Sequence, residues 1–328
     1  MTIPSGALRF NSDSGKLEYY NGEAWWQIDN FSADNATGGA RGVFGGGFGP
    51  VYSNVIDYIT ISTTGNAIDF GDLTVIRDSL VGCSSPTRGV FCGGLTPTIL
   101  NTIDFITISS TGNAQDFGDL TVARVAAGTS SSTRGVIGGG FTGAITNTID
   151  YITIASTGNA VDFGDLTAAY NRPSGCSSST RGLFGGGSTP TVVNTIEFIT
   201  IATTGNASYF GDLTTVITGP GGACSNSTRG LFGGGNNPTL TNIICFVTIA
   251  TLGNAQDFGD LITLRRDLCA TSSPTRGVFA AGYQDPSATR RNEIEYVTIV
   301  SIGNAIDFGD LTAGRSGVGA CSNAHGGL

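Results

Sequence analysis

The chain has 328 residues, of which 39% are hydrophobic and only 12% are charged, and it carries a net charge of −9 with Lys16 as its one lysine. Nucleic acids and anionic membranes are therefore not expected as partners, because binding to phosphate groups depends on clustered lysine and arginine. No apolar run approaches the ~20 residues of a membrane-spanning helix. The N-terminus also lacks the basic start and apolar segment of an export signal.

The first thirty residues differ from the rest of the chain and contain "GALRFNSDSGKLEYYNGEAWWQI". This stretch predicts three short strands, Ala7–Phe10, Leu17–Tyr20 and Trp25–Ile28, which are separated by the turn sequences "NSDSGK" and "NGEA". So small a sheet does not bury both of its faces alone. We therefore expect residues 1–32 to form an attachment module. Its expected interface consists of five aromatic residues: Phe10, Tyr19, Tyr20, Trp25 and Trp26.

Residues 33–328 contain six copies of one repeat. Each copy has a segment such as "RGVFGGGF", and the copies begin near Arg41, Arg88, Arg134, Arg181, Arg229 and Arg276, with 46 to 48 residues between successive arginines. Repeats of this length are typical of propeller blades and helical solenoids. Alternating segments such as "NTIDYITIAS" and short runs such as "VDFGDL" predict strands, and no segment has a helical apolar stripe. The sequence therefore predicts an all-β, six-bladed propeller of four-stranded antiparallel blades.

The C-terminus is predicted to close the ring. A segment such as "GCSSPT" precedes five of the six repeat arginines, whereas its sixth copy, "ACSNAHGGL", stands at the end of the chain. A strand at Val318–Asn323 should therefore pair with the strand that begins at Arg41, which removes a free sheet edge. Four cysteines occupy one position of this segment, where other copies carry Thr129 or Thr271. Such a position requires a small buried side chain, so free thiols are expected.

The glycine triplets and the repeated "DFG" motif do not indicate nucleotide chemistry. A phosphate-binding loop needs a following helix whose N-terminus faces the phosphate, and no helix is predicted here. The other signature residues of a protein kinase are missing as well. Glycine in these positions instead allows neighbouring strands to approach closely.

No catalytic or cofactor-binding residue is predicted, so the chain is not expected to be an enzyme. His325 is its one histidine, which excludes a repeated nucleophile–histidine arrangement and a histidine-based zinc site. The "DFGDL" turns provide carboxylate pairs, of which Asp69, Asp72, Asp116 and Asp119 are weak calcium candidates. Backbone hydrogen bonding in turns explains these aspartates better. We also expect the repeat arginines to pair with "DFGDL" aspartates of a neighbouring repeat.

The order of motifs in residues 38–328 resembles the kelch repeat. A glycine doublet ends the second strand (Gly139 and Gly140 in the third repeat), Tyr151 follows an acidic residue in the third strand, and Phe163 is the bulky aromatic of the fourth. The chain departs from kelch repeats by using Phe where Trp is common and by having Ala280 and Ala281 in place of a doublet. The resemblance implies that the cysteine-containing segment is the innermost strand of each blade.

Residues 6–25 are similar to a short motif found in fibre and appendage proteins of tailed bacteriophages, G-x-L-R-(F/Y)-N…E-x-(Y/F)-(N/D)-G-x-x-W. The matching residues are Arg9, Asn11, Glu18, Tyr20, Gly22 and Trp25. This resemblance implies a non-enzymatic virion protein, assembled in the host cytoplasm, whose module binds other virion proteins or sister copies. The propeller would then bind a protein or glycan of the host surface or decorate the particle. The alternative is a cellular kelch-type module for protein–protein interaction.

Overall fold

The computed structural model of the protein describes residues 3–11, 16–27, 40–217, 221–236, 239–285 and 289–328. The chain divides into two compact units, Met1–Gly38 and Gly39–Leu328. The described residues form strands and turns and contain no helix, and therefore none that is long and apolar enough to cross a membrane. The predicted all-β fold class is confirmed.

The first unit is a three-stranded antiparallel sheet of Leu8–Asn11, Lys16–Tyr20 and Trp25–Gln27. Each strand lies within one residue of its predicted position. The second turn is held by Asn21, whose Oδ1 accepts hydrogen bonds from the backbone N–H groups of Glu23 (2.9 Å) and Ala24 (2.8 Å). Asparagine favours turns for this reason, because its side chain replaces a backbone acceptor.

The second unit contains six four-stranded antiparallel sheets, which we call blades 1 to 6 and whose strands we number outwards from the axis. Blade 1 consists of Gly319–Ser322, Arg41–Gly45, Val55–Thr60 and Ile68–Asp72; blade 2 of Val81–Ser84, Arg88–Cys92, Thr102–Thr107 and Gln115–Asp119; blade 3 of Val125–Ser130, Arg134–Phe141, Ile145–Thr153 and Val161–Tyr170; blade 4 of Ser174–Ser177, Arg181–Gly185, Thr195–Thr200 and Ser208–Asp212; blade 5 of Gly222–Ser225, Arg229–Gly233, Ile243–Thr248 and Gln256–Asp260; and blade 6 of Cys269–Ser272, Arg276–Ala280, Glu293–Thr298 and Ile306–Asp310. Two short ladders, Leu95–Thr96 with Thr98–Ile99 and Tyr283–Gln284 with Thr289–Arg290, extend the loops between the second and third strands of blades 2 and 6.

The blades form a closed ring. Each first strand lies against the first strands of both neighbouring blades, and Gly319–Ser322 completes the circle between blades 6 and 2. This C-terminal strand pairs antiparallel with Arg41–Gly45, with Cys321 opposite Val43. The predicted six-bladed propeller and its closure by the C-terminal strand are confirmed.

Close approach at the axis explains the small residues of the first strands. A Cβ atom built on Gly82 would lie 2.1 Å from the carbonyl oxygen of Ala320 in the adjacent first strand, so even an alanine would collide there. All seven cysteines lie buried as unpaired thiols. Burial raises the pKa of the Cys83 and Cys224 thiols to about 12, which keeps them protonated and unreactive.

Each second strand ends in a turn that needs a left-handed backbone. The residue after the strand has a φ of 68° at Gly46, 62° at Gly93 and 72° at Gly234. Blade 6 has Ala281 at this place, and it adopts the same conformation with a φ of 63°. The missing glycine doublet of blade 6 therefore leaves the architecture intact at a local cost in strain.

The hydrophobic core lies between the blades. Val43, Ile56 and Phe70 of blade 1 pack with Phe91 and Ile106 of blade 2, and the other interfaces repeat this arrangement. The fourth strands, which would otherwise expose an unpaired edge, are covered by the "TGNA" turn of the next blade. The N–H of Gly112 donates to the carbonyl of Phe70 (2.8 Å), and Asn113 Oδ1 accepts from the N–H of Asp72 (3.1 Å). Covered edges of this kind protect a sheet against aggregation.

The repeat arginines do not pair with the "DFGDL" aspartates, so that prediction is wrong. The guanidinium of Arg41 instead lies over the ring of Tyr58, 4.8 Å from its centroid, and donates to the carbonyl of Ile108 in blade 2 (2.9 Å). The arginines of the other five blades make the equivalent contacts. These arginines do join neighbouring blades, but through backbone carbonyl groups, while the aromatic ring under each guanidinium belongs to the arginine's own blade.

Buried ion pairs occupy a different position of the repeat. In blade 2 the fully buried Arg77 contacts the fully buried Asp104 at 2.9 Å, and Asp104 also accepts hydrogen bonds from the hydroxyl (2.6 Å) and the N–H (3.1 Å) of Thr74. Thr74 follows the outermost strand of blade 1, so the carboxylate joins two blades. Equivalent pairs are Arg124–Asp150, Arg265–Glu295 and Arg315–Asp57.

The two remaining blades change both members of the pair together. In blade 4 the hydroxyl of Tyr170 donates to Glu197 (2.6 Å), so a shorter donor meets a longer acid. In blade 5 the two positions hold Ile217 and Cys245, which are both buried in one hydrophobic cluster. Blade 5 thus carries neither charge, while in blade 4 the buried Glu197 has no cationic partner and is held by hydrogen bonds from Tyr170 and from the N–H of Thr167 (2.9 Å).

Candidate functional site

The six first strands enclose an axial channel that is narrow at the end where these strands finish. The last residue of each first strand is a serine: Ser84, Ser130, Ser177, Ser225, Ser272 or Ser322. Five of these hydroxyls donate to the carbonyl of the serine in the preceding blade, at 2.6 to 2.7 Å. The sixth link, from Ser130 to Ser84, is missing.

His325 occupies the place of the missing link. Its Nε2 lies 3.1 Å from the carbonyl oxygen of Ser84 and 3.2 Å from the hydroxyl of Ser130, while its Nδ1 accepts the N–H of Gly327 at 3.0 Å. A carbonyl only accepts, so Nε2 carries the proton and the imidazole is neutral. Burial lowers the pKa of His325 to about 4. This histidine therefore closes the narrow end of the channel.

A larger cavity of about 420 Å³ lies at the opposite end, which we call the mouth pocket. One of its walls is apolar and comes from blades 2 and 3: Leu95, Ile99, Val125 and Phe141. The other wall is polar and comes from the segments that lead into the first strands of blades 2, 4 and 6 and from the second-to-third-strand loop of blade 5: Ser79, Asn171, Arg172, Asn236 and Arg266. Its volume lies within the range of about 300–1,000 Å³ typical of small-molecule sites.

Charged residues that the repeat does not explain concentrate around this pocket. The other arginines of the ring either begin a second strand or belong to a buried pair, and the other acidic residues belong to "DFGDL" segments or to the third-strand positions of those pairs. Eight charged residues remain, and we call them the mouth cluster: Asp78, Arg172, Arg266, Asp267, Asp285, Arg290, Arg291 and Glu293. Seven of them lie between the outermost or second strand of a blade and the blade strand that follows, and Glu293 is the first residue of the third strand of blade 6.

Four residues of the mouth cluster, Arg172, Arg266, Asp267 and Asp285, form a connected network of ion pairs. Asp267 accepts from Arg172 of blade 4 at 2.9 Å and from Arg266 at 3.2 Å, and thus bridges two guanidinium groups across the pocket. Arg266 lies 3.6 Å from Asp285, and its guanidinium lies over the ring of Tyr283, 4.9 Å from the centroid. The arginines of the mouth are therefore held in fixed positions.

Asp78 lies beside the network and is partly buried. Its backbone pairs with that of Leu95, which lines the mouth pocket. Burial raises the pKa of the Asp78 carboxyl to about 6, an effect that the nearby Arg172 and Arg290 oppose and Asp267 reinforces. Perturbed carboxyl groups in a cleft are typical of functional sites.

Backbone strain also concentrates at the mouth. Ser79, Arg172 and Asp267 have φ values of 53° to 55°, in the left-handed region that favours glycine. They occupy one position of the repeat, where blade 1 has Gly317 with a φ of 64°. Non-glycine residues in this conformation cost on the order of 1 kcal/mol or more and cluster at binding sites.

The N-terminal module has one exposed apolar face. Leu8 is opposite Tyr19, which is in turn opposite Trp26, so the three side chains share this face. The exposed fraction is 62% for Leu8, 68% for Phe10 and 55% for Trp26. Among the five predicted interface residues, Phe10, Tyr19 and Trp26 therefore lie on the exposed face.

The two other predicted interface residues lie on the opposite face of the module. Tyr20 and Trp25 pack on each other at 5.4 Å between ring centroids. The guanidinium of Arg9 lies 4.2 Å from the centroid of the Trp25 ring and pairs with the buried Glu18 at 2.8 Å. This face thus has a small internal core of its own, which orients the exposed face.

The calcium candidates lie in the fourth strands of blades 1 and 2 and do not belong to the mouth cluster. Asp69 and Asp116 are exposed in the fourth strands, while Asp72 and Asp119 are half-buried, and their N–H groups contact the asparagine of the next "TGNA" turn. Within the described part of the chain, no group of three or more His, Cys, Asp and Glu side chains is arranged to hold a metal ion.

No protein-family model matches the chain, and no curated protein matches it in sequence. The functional argument therefore depends on the residues of this chain. The mouth cluster, the six hydrogen-bonded serines at the ends of the first strands and the role of His325 were not predicted from the sequence. Two signals were present: the serine is invariant in all six copies of its segment, and eight charges do not fit the repeat.

Proposed function

We propose that this chain is a non-enzymatic virion appendage protein of a tailed bacteriophage, assembled in the host cytoplasm. In this proposal the N-terminal module attaches the chain to other virion proteins or to sister copies, and the propeller binds a component of the host surface. The observation that carries the proposal is the exposed apolar face formed by Leu8, Phe10, Tyr19 and Trp26. Contiguous apolar surface of this kind marks an interface.

The two units suit these two roles for different reasons. A three-stranded sheet is marginal by itself, so the module gains stability when a partner covers its apolar face. The ring has no free sheet edge, because the next blade covers each outer strand, and it is therefore suited to display in solution. The similarity of residues 6–25 to phage fibre motifs supports the same assignment.

A cellular kelch-type interaction module is the second candidate. The observation in its favour is the loop of blade 6, which carries Asp285, Arg290 and Arg291 and thereby differs in charge from the corresponding loops of the other blades. Such a loop fits recognition of one protein partner. The two candidates differ in the role of the module, since a cellular adaptor has no need of an oligomeric anchor.

Sedimentation of three proteins tests the proposal. We expect the full chain to be oligomeric and the double variant Phe10→Ser/Trp26→Ser to be a monomer with unchanged thermal unfolding of the ring. The matched control is Val161→Ser/Ile306→Ser, which removes apolar side chains of similar exposure, 54% and 59%, from the ring and should remain oligomeric.

A monomeric full chain at micromolar concentration, together with its absence from purified particles by mass spectrometry, would contradict the attachment role. Loss of the oligomer in the ring control would place the interface on the propeller instead. Detection of the chain in particles separates the virion assignment from the cellular alternative.

A further inference from the structure

We propose that the mouth pocket binds an uncharged sugar unit of a glycan, held between the apolar wall of blades 2 and 3 and the opposite, polar wall. This inference deepens the proposed function and rests on it, because it names the chemistry of the host-surface ligand. The cavity of about 420 Å³ lies at the mouth of the ring, where residues of blades 2 to 6 converge.

The two walls of the pocket match the two kinds of surface on a sugar ring. A pyranose has an apolar C–H face and a rim of hydroxyl groups. Leu95, Ile99 and Phe141 offer an apolar surface, and Phe141 retains an exposed fraction of 38% that a ligand would cover. The amides of Asn171 and Asn236 on the other wall both donate and accept hydrogen bonds, as hydroxyl groups require.

The charges around the pocket favour an uncharged ligand. The mouth cluster contains four arginines and four acidic residues, so it has no net charge to attract an ion of either sign. Asp267 already neutralises Arg172 and Arg266, at 2.9 and 3.2 Å. An anionic ligand would have to displace this carboxylate and would also lie near Asp78.

Five buried polar atoms of the mouth cluster lack hydrogen-bond partners, and they include both kinds: the Nε donors of Arg266, Arg290 and Arg291 and the acceptors Asp78 Oδ1 and Glu293 Oε2. Arg266 Nε is a donor whose nearest carboxylate, that of Asp285, lies at 3.6 Å, too far for a hydrogen bond. Asp78 Oδ1 is an acceptor without a partner. A hydroxyl-rich ligand can satisfy both, whereas a carboxylate or phosphate only accepts and an ammonium only donates.

The polar wall is also fixed before a ligand arrives. Arg172 is held by its ion pair and by a strained backbone with a φ of 53°, and Arg266 is held by Asp267 and the ring of Tyr283. Binding therefore does not pay for ordering these long side chains. The strained backbone of Arg172, which folding alone does not require, thus serves to hold its side chain in the pocket wall.

The test measures binding of simple glycosides to the full-length protein by saturation-transfer NMR and calorimetry. The probes are the neutral methyl glycosides of glucose, galactose, mannose, rhamnose and N-acetylglucosamine, with methyl glucuronide as the acidic probe. We expect at least one neutral probe to bind at millimolar concentration and more tightly than the acidic probe. Phe141→Ser and Arg172→Asn should each weaken binding tenfold or more, and asparagine tolerates the left-handed backbone at position 172.

The matched control is Tyr209→Ser, which removes an exposed aromatic from the fourth strand of blade 4 and should leave the affinity unchanged. Thermal melting of each variant confirms that the ring is folded. The inference is overturned if no neutral probe binds, if the glucuronide binds better, or if Phe141→Ser binds normally. If the Phe141→Ser and Arg172→Asn variants each still adsorb to host cells, the ligand site lies elsewhere and the proposed function stands. If the protein is absent from particles but binds the sugar as expected, the inference stands and the virion assignment fails.

Discussion

Replacing both members of a buried ion pair should be far less harmful than replacing one. The test case is Arg77 and Asp104 of blade 2, since blade 5 has Ile217 and Cys245 at the same two positions. The variant Asp104→Cys leaves the guanidinium of Arg77 buried without its carboxylate and deprives Thr74 of two hydrogen bonds. Breaking a buried pair in this way costs about 3–5 kcal/mol of the free energy of unfolding.

The double variant Arg77→Ile/Asp104→Cys copies the solution that the chain already uses. We expect it to be destabilised by only about 1–2 kcal/mol, because no charge remains buried and the residual cost is a cavity. Arg77→Ile alone should also lose about 3–5 kcal/mol, because the carboxylate of Asp104 is then buried without its counter-ion.

Urea unfolding of the four proteins measures these differences. The midpoint shifts give the free energies if the slope with denaturant concentration is unchanged. The expected coupling between the two positions is about 3 kcal/mol or more in favour of the double variant. If the stability losses of the two single variants simply add up in the double variant, the reasoning is refuted, because the two residues would then have no coupling energy.

Three further predictions concern the axis and the closure of the ring. His325 is neutral in the folded protein with a pKa of about 4 against an ordinary value of 6.5, so the unfolded chain binds the proton more strongly and stability is lost as the pH falls from about 6.5 towards 4. The loss of unfolding free energy is at most about 3 kcal/mol, because part of the imidazole remains accessible to solvent. A His325→Gln variant should not show this loss when its urea unfolding is measured over the same pH range. Removing residues 317–328 should expose the second strand of blade 1 and cause aggregation, which light scattering detects; a soluble, monomeric truncated chain would contradict the closure. The buried thiols should not react with a water-soluble disulfide reagent until urea unfolds the ring, and reaction in the native protein would show that the ring opens locally.

Much of the architecture could be predicted because the repeat is regular. The distances between arginines gave the number of blades, and the displaced sixth copy of the first strand gave the closure. The choice of ionic partner could not be predicted. The sequence offers the repeat arginines a carboxylate in the "DFGDL" segments and, in five of the six repeats, another in the third strand, at the same period. An acidic residue of an alternating strand would ordinarily face solvent, but the third strands have neighbours on both faces, and Asp57 is fully buried.

The mouth pocket depends on differences between copies, which a consensus of the repeat removes. The stretch from the buried-pair position to the serine that ends the next first strand is one residue shorter in blade 3, from Arg124 to Ser130, than in blade 2, from Arg77 to Ser84. The apolar wall includes Val125, in this shorter stretch, whereas Ser79, Arg172 and Arg266 of the polar wall lie in stretches of the longer kind. Six equal blades would present six equal groups to the axis, and a small asymmetric ligand on the axis could use only some of them. The blades are alike where they pack and differ where they meet at the mouth, so specificity can change there without loss of the ring.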